Sequence, residues 1–155
     1  MRYLLVIFLG LFILSCDSSR LYEDFNNMEE AFWHKDSIQS FRFTIEDTVS
    51  SYNLIASFRN ASSYPFYNLY FQYTLTDSLD RVLQQELKEI YLFDSKTGEP
   101  YGNGLGDLFD HTYSLSENYQ FENPGTYSIH LQQFMRLDTL PYLVSVGARV
   151  EYAVE

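Results

Sequence analysis

The sequence is poor in the residues that cross-link a chain, kink it or charge it positively. Its 155 residues include one cysteine, four prolines and one tryptophan, with 10 Lys and Arg against 21 Asp and Glu. A single cysteine excludes an intramolecular disulfide, so packing alone must hold the core. The net charge of −11 argues against nucleic acid and anionic lipid headgroups as partners, because both require excess positive charge. No apolar run after residue 15 reaches the roughly 20 residues that a membrane-spanning helix needs.

The first 16 residues have the order of a secretory signal. Arg2 precedes an almost wholly apolar run over residues 4–14, and the small Ser15 follows it. This run is too short to cross a bilayer as a helix. Cys16 at the cleavage point resembles the lipobox of bacterial lipoproteins, in which the thiol receives a diacylglycerol and becomes the first mature residue. The alternatives are an ordinary signal peptide with an incidental cysteine, and a short anchor that stays uncleaved.

These features predict three segments: a lipoprotein signal peptide over residues 1–15, a lipidated cysteine and polar tether over 16–31, and one domain over 32–155. Removal of the signal leaves 155 − 15 = 140 residues with a net charge of −11 − 1 = −12, because Arg2 departs with it. A chain of this length is large enough for a single domain with a proper core.

The domain has the alternation of half-buried strands. Residues 41–46 and 52–59 alternate apolar and polar side chains on either side of a turn-forming segment at 47–51, which predicts a hairpin-connected pair of strands. Residues 69–75 alternate in the same way. Residues 83–90 fit either a strand or a helix, and the β-rich surroundings favour strands.

The last third of the chain continues this pattern. Residues 126–133 and 143–152 alternate, and the Pro-Gly-Thr-Tyr sequence at 124–127 resembles the tyrosine corner of sandwich domains. The 14 tyrosines and 13 phenylalanines are residue types that strands favour. We therefore predict an all-β fold, an antiparallel β-sandwich that is Ig-like or jelly-roll-like.

Signals of enzyme chemistry are weak, and we predict no enzyme, no cofactor and no metal. The three histidines are scattered and no Gly-x-Ser-x-Gly elbow is present. Asp107, Asp110 and His111 are the best candidate calcium cluster, but their spacing favours a solvated turn. The glycines at 102, 104 and 106 lack the strand–helix context of a phosphate loop, so we interpret them as a bend or bulge where backbone packs closely.

Two surface features remain as candidate sites. Trp33 is predicted to cover the end of the core, with a sugar-stacking platform as the alternative. Asp followed by Ser or Thr and an aliphatic residue occurs four times and resembles the O-glycosylation acceptor of exported Bacteroidota proteins. Its hydroxyl residues are Ser37, Thr48, Ser78 and Thr139. The alternative is that these aspartates simply start turns.

Several stretches in order resemble one family. The segments are Trp-His-Lys-Asp at 33–36, Phe-Arg-Phe-Thr-Ile-Glu-Asp at 41–47, Arg-Asn at 59–60, Tyr-Pro-Phe at 64–66, Asn-Leu-Tyr at 68–70, the glycine segment at 102–106 and Val-Gly-Ala-Arg-Val-Glu at 146–151. Together they are similar to the gliding-motility lipoprotein GldH family of Bacteroidota. Asn103 departs from the basic residue usual at this place in the family.

The resemblance implies an envelope lipoprotein that supports gliding motility as a non-catalytic interaction or assembly component. Its partners would be the membrane, through the lipid, and other envelope motility proteins. Both the inner and the outer membrane remain alternatives for the anchor. We expect the partner contact to involve five residues of one loop and its neighbouring strand: Arg59, Tyr64, Pro65, Phe66 and Asn68. The alternative function is a carbohydrate-binding surface lipoprotein of a polysaccharide-uptake system.

Overall fold

The computed structural model describes residues 19–153 as an all-β domain. The strands in chain order are β1 (Arg20–Asn27), β2 (Phe32–His34), β3 (Gln39–Ile45), β4 (Tyr52–Ala61), β5 (Asn68–Asp77), β6 (Val82–Tyr91), β7 (Asn103–Leu105), β8 (Leu108–Tyr119), β9 (Gly125–Gln133), β10 (Thr139–Pro141) and β11 (Leu143–Tyr152). A short 3-10 segment, Glu29–Ala31, precedes β2. In this part of the chain no helix is long and apolar enough to cross a membrane.

Two antiparallel sheets pack around a shared core, which confirms the predicted sandwich. Sheet I has the strand order β1-β11-β4-β8-β7, and sheet II has the order β3-β9-β5-β6. Strands β2 and β10 form a separate two-stranded pair. Phe58 of sheet I meets Phe71 of sheet II with ring centroids 4.8 Å apart. Burial of each such side chain contributes roughly 1.5–3 kcal/mol, so the alternating apolar faces supply the main driving force for this arrangement.

Period-two alternation predicted the buried faces of most strands correctly. On β5, Leu69, Phe71, Tyr73 and Leu75 are fully buried, as expected. Residues 82–91 form one continuous strand rather than a helix. The tyrosine corner is also present, because the Tyr127 hydroxyl donates to the carbonyl of Asn123 at 2.6 Å. The longest strand, β8, was not predicted, since its alternation is interrupted where its register against β4 shifts.

The predicted hairpin between residues 41–46 and 52–59 is wrong. Strand β3 pairs with β9 in sheet II, whereas β4 pairs with β11 and β8 in sheet I. The connecting residues 46–51 therefore cross from one sheet to the other. Two strands that each bury one face satisfy the same sequence pattern whether they lie side by side or face each other across the core.

The predicted tether is also too long. Residues 20–27 form strand β1, which pairs with β11 from Arg20 opposite Glu151 to Asn27 opposite Ser145. Tyr22 of β1 reaches Phe43 of the other sheet, with ring centroids 5.8 Å apart. The domain therefore includes residues from position 20, not 32. A half-exposed edge strand buries few side chains, so its polar composition resembles that of a tether.

The two ends of the sandwich differ in what they carry. We call the end formed by Ser19 and by residues 46–51, 78–81 and 120–124 the entry end, because the chain enters the domain there. Ser19 accepts a hydrogen bond from the Tyr152 backbone at 2.8 Å, and Ser51 accepts one from Ala153. The opposite, far end carries residues 62–67 and 92–102. Cys16 and the predicted signal peptide lie outside the described residues.

Candidate contact surface

The segment between β4 and β5, residues 62–67, is held rigidly at the far end. The Tyr64 hydroxyl is buried and donates to the Asn68 carbonyl at 3.0 Å. Burial raises the pKa of this hydroxyl well above its usual value. The backbone amides of Leu92 and Phe93 both donate to the Tyr67 carbonyl, at 2.8 and 3.0 Å. The segment is thus fixed by its own Tyr64–Asn68 hydrogen bond and by the backbone that follows β6.

Its outward side exposes aromatic and apolar groups. Pro65 is exposed and Phe66 is half-buried. The ring of Tyr67 stacks on that of Tyr91, with centroids 6.0 Å apart and an angle of 9° between planes, and both side chains are about half exposed. We call Pro65, Phe66, Tyr67 and Tyr91 the aromatic surface. Sequence reasoning missed Tyr91, because only the register of β6 against β5 places it opposite Asn68.

A shallow groove of about 300 Å³ separates this segment from the turn at residues 94–98. Asp94 organises the turn by accepting the backbone amides of Lys96 and Thr97, each at 2.8 Å, and the Tyr101 hydroxyl at 3.0 Å. These hydrogen bonds stabilise the carboxylate and lower the pKa of Asp94 to about 2. Asp94 is therefore ionised at physiological pH and accepts the hydrogen bonds that hold the turn together.

The predicted contact residues divide into supports and exposed groups. Tyr64 and Asn68 are buried and position the loop, so they are not direct contacts. The Asn68 side-chain amide donates to Glu89 at 2.7 Å. Arg59 is accessible, but its guanidinium makes a two-point hydrogen bond to Asp110, at 2.7 and 2.9 Å. This pairing raises the pKa of Arg59. Within the predicted loop itself, the accessible residues are Pro65 and Phe66.

The Gly-x-Gly-x-Gly segment forms a hairpin that packs against β8. Gly104 and Leu105 belong to β7, and Gly106 turns the chain with φ at +67°, where side chains are disfavoured. Neither Gly102 nor Gly104 has room for a side chain. A Cβ on Gly104 would lie 2.2 Å from the Phe109 ring. The predicted close backbone packing is confirmed here.

Replacing Gly102 with alanine is expected to destabilise the domain by about 1–3 kcal/mol. The added Cβ would lie 2.4 Å from the Asp110 carbonyl oxygen in the backbone of β8 and 2.7 Å from the ring of the buried His111, so β8 or the hairpin would have to shift. Chemical denaturation measures the loss. Leu105→Ala in the same hairpin is the control, because Leu105 is 93% exposed and its truncation should change little. Equal stabilities for the two variants would contradict this packing.

The candidate calcium cluster is not assembled. The Asp110 carboxylate is paired with Arg59. His111 is buried, and its removal from water lowers its pKa. Among residues 19–153, no three His, Cys, Asp or Glu side chains are grouped so that they could hold a metal. Trp33 is fully buried and donates its indole N–H to the Ser37 carbonyl at 2.8 Å. The sugar-platform interpretation of Trp33 is therefore wrong, because the ring face is inaccessible.

The four candidate acceptor hydroxyls lie at turns or at the ends of short strands. Ser37, Ser78 and Thr139 are exposed and Thr48 is half-buried. Two of the preceding aspartates do start turns: Asp47 accepts the Val49 amide and Asp77 accepts the Leu79 amide. Glycosylation of these hydroxyls stays a prediction.

Comparisons with known proteins place the chain in a family. A carbohydrate-binding module specific for non-crystalline cellulose, CBM28, has a TM-score of 0.45 at 9% identity, covering 91% of this chain and 79% of that module. The gliding motility lipoprotein GldH homolog of Christiangramia forsetii is 29% identical, covering 97% of this chain and 98% of the relative. The gliding motility lipoprotein GldH of Flavobacterium johnsoniae is 26% identical, covering 95% and 94%. The GldH lipoprotein family model matches residues 20–150, and the chain therefore belongs to the GldH lipoprotein family.

Proposed function

We propose that this protein is a lipid-anchored, non-catalytic interaction component of the envelope machinery for gliding motility. Its family and its relatives' names support the motility role. The lipid on Cys16 would hold the domain beside its membrane partners and raise their effective concentration. Several acyl chains are needed for this, because a single chain anchors only weakly.

The observation that carries the contact role is the position of the aromatic surface. It lies at the far end, whereas the chain runs toward Cys16 from the entry end. A domain tethered at its entry end would thus present Tyr67 and Tyr91 away from the anchoring membrane. Rigid, half-exposed tyrosines supply large contact area at low entropic cost, and such residues dominate binding energy in many interfaces.

The pair of substitutions Tyr67→Ala and Tyr91→Ala is expected to reduce capture of envelope motility proteins at least tenfold and to impair colony spreading. Crosslinking followed by mass spectrometry of the envelope fraction measures capture. The free energy of unfolding should change by less than about 1 kcal/mol, since both rings are about half exposed. The control is Leu87→Ala, which removes a side chain that is 60% exposed elsewhere on β6. Unchanged capture and spreading would contradict the proposal.

Carbohydrate binding is the second candidate, favoured by one observation. A groove of about 310 Å³ on the outer face of sheet II is lined by Gln72, Gln85 and Gln132, whose amides suit sugar hydroxyls. A glycan array separates the two functions. Glycan binding that is lost on Gln132→Ala would favour the second candidate, whereas capture of motility proteins without glycan binding would favour the first.

A further inference from the structure

Very few residues separate the proposed lipid on Cys16 from the first residue of the domain. Ser19 is already fixed to the end of β11 through the Tyr152 amide. Only three residue steps separate Ser19 from Cys16, and a fully extended chain spans about 11 Å over that distance. The inference below rests on the proposed acylation of Cys16. If that acylation holds, the entry end lies almost against the bilayer.

Two aliphatic side chains project from loop tips at this end. Val49 is 86% exposed and Leu79 is 72% exposed. Both loops lie at the same end, because Ile45 at the end of β3 pairs with Gly125, and Asp77 at the end of β5 pairs with the nearby Tyr127. Folding does not account for either side chain, since neither contributes to the core.

The same local geometry fixes both tips. Asp47 accepts the Val49 amide at 2.8 Å and the Ser50 hydroxyl at 2.5 Å. Asp77 accepts the Leu79 amide at 2.9 Å, and Arg81 pairs with its carboxylate. Each aspartate is thus turned back onto its own loop while the aliphatic side chain points outward. Of the two repeats of this motif at the far end, one buries its aliphatic residue, Leu140, completely, and the other leaves Ile38 53% exposed, less than either tip at the entry end.

We propose that Val49 and Leu79 insert into the acyl–headgroup boundary of the membrane that carries the lipid of Cys16. Insertion removes apolar surface from water and fixes the sandwich end-on, with the aromatic surface pointing away. The occupant is a membrane of low net charge. Exposed acidic groups at the entry end, Glu46, Asp80 and Glu122, would be repelled by an anionic surface.

The test places a polarity-sensitive fluorophore on a new cysteine in the acylated, mature protein, because the acylated Cys16 does not react. The variants are Val49→Cys and Leu79→Cys, with Leu105→Cys at the far end as the matched control. Reconstitution in vesicles of phosphatidylethanolamine and phosphatidylcholine should shift the emission of the first two labels to the blue and leave the third unchanged. Water-exposed labels at all three positions would overturn the proposal.

Further outcomes separate this proposal from its alternatives. Labels at 49 and 79 that are already shielded in the unacylated chain, in buffer without detergent or vesicles, would indicate a protein contact and overturn it. A glycan found on Thr48 or Ser78 by mass spectrometry would also overturn it, because a polar sugar beside either tip would hold that tip in water. Failure of labelled palmitate to enter the wild-type chain would defeat the proposed function itself, whereas normal acylation with exposed labels defeats only the insertion.

Discussion

Replacing Cys16 with serine is expected to abolish acylation and release the protein from the membrane. Cys16 is the only cysteine, so no other thiol is present to accept the diacylglycerol. Without the lipid, the mature chain would keep only the proposed contact of two small loop tips with the membrane, which is insufficient for stable anchoring. Labelled palmitate should enter the wild type and not the variant. Colony spreading should be lost, because the effective concentration of the domain near its partners falls.

The control for this prediction is folding. The strands of the sandwich run from Arg20 to Tyr152, so we expect the Cys16→Ser domain to unfold at the same denaturant concentration as the wild type. A variant that folds normally, lacks palmitate and still supports spreading would show that the anchor is dispensable. A wild type without palmitate would favour an ordinary signal peptide instead.

Replacing Phe121 with alanine is expected to destabilise the domain by about 3–5 kcal/mol, a large share of the roughly 5–15 kcal/mol that stabilises a typical domain. Phe121 is buried at the centre of an aromatic cluster near the entry end. Its ring centroid lies 4.5–6.0 Å from four other rings, those of Phe43, Tyr52, Tyr119 and Tyr127. Truncation removes all four contacts and leaves a cavity. Equilibrium denaturation in urea measures the loss.

The matched control is Phe134→Ala, which truncates the same residue type where it is 49% exposed. It should cost less than about 1 kcal/mol, because about half of that residue is already exposed to water. Phe121→Leu should cost less than Phe121→Ala, since it fills part of the cavity. A loss below about 1 kcal/mol for Phe121→Ala would show that this cluster does not hold the two sheets together.

The candidate surface shows how far sequence reasoning reaches. The sequence identifies the Tyr-Pro-Phe segment at 64–66 as a candidate contact, but it does not show which aromatic side chains in and around the segment are buried and which are exposed. Tyr64 carries a hydroxyl that finds a partner inside the protein, and no local pattern distinguishes such a tyrosine from the exposed Tyr67. Tyr91 joins the surface only through the pairing of β6 with β5. Which aromatic rings meet depends on register, and register is a long-range property.

The sequence by itself determined the all-β class, the buried faces of most of the regular strands and the candidate anchor at Cys16. These follow from local properties: side-chain alternation with period two, turn-forming residues, and the order of charge and apolar residues at the start of the chain. Only the tertiary structure decided that β3 and β4 lie in opposite sheets and that β1 belongs to the domain. Both depend on which strands pair, and pairing is chosen by packing across the core between segments far apart in the chain.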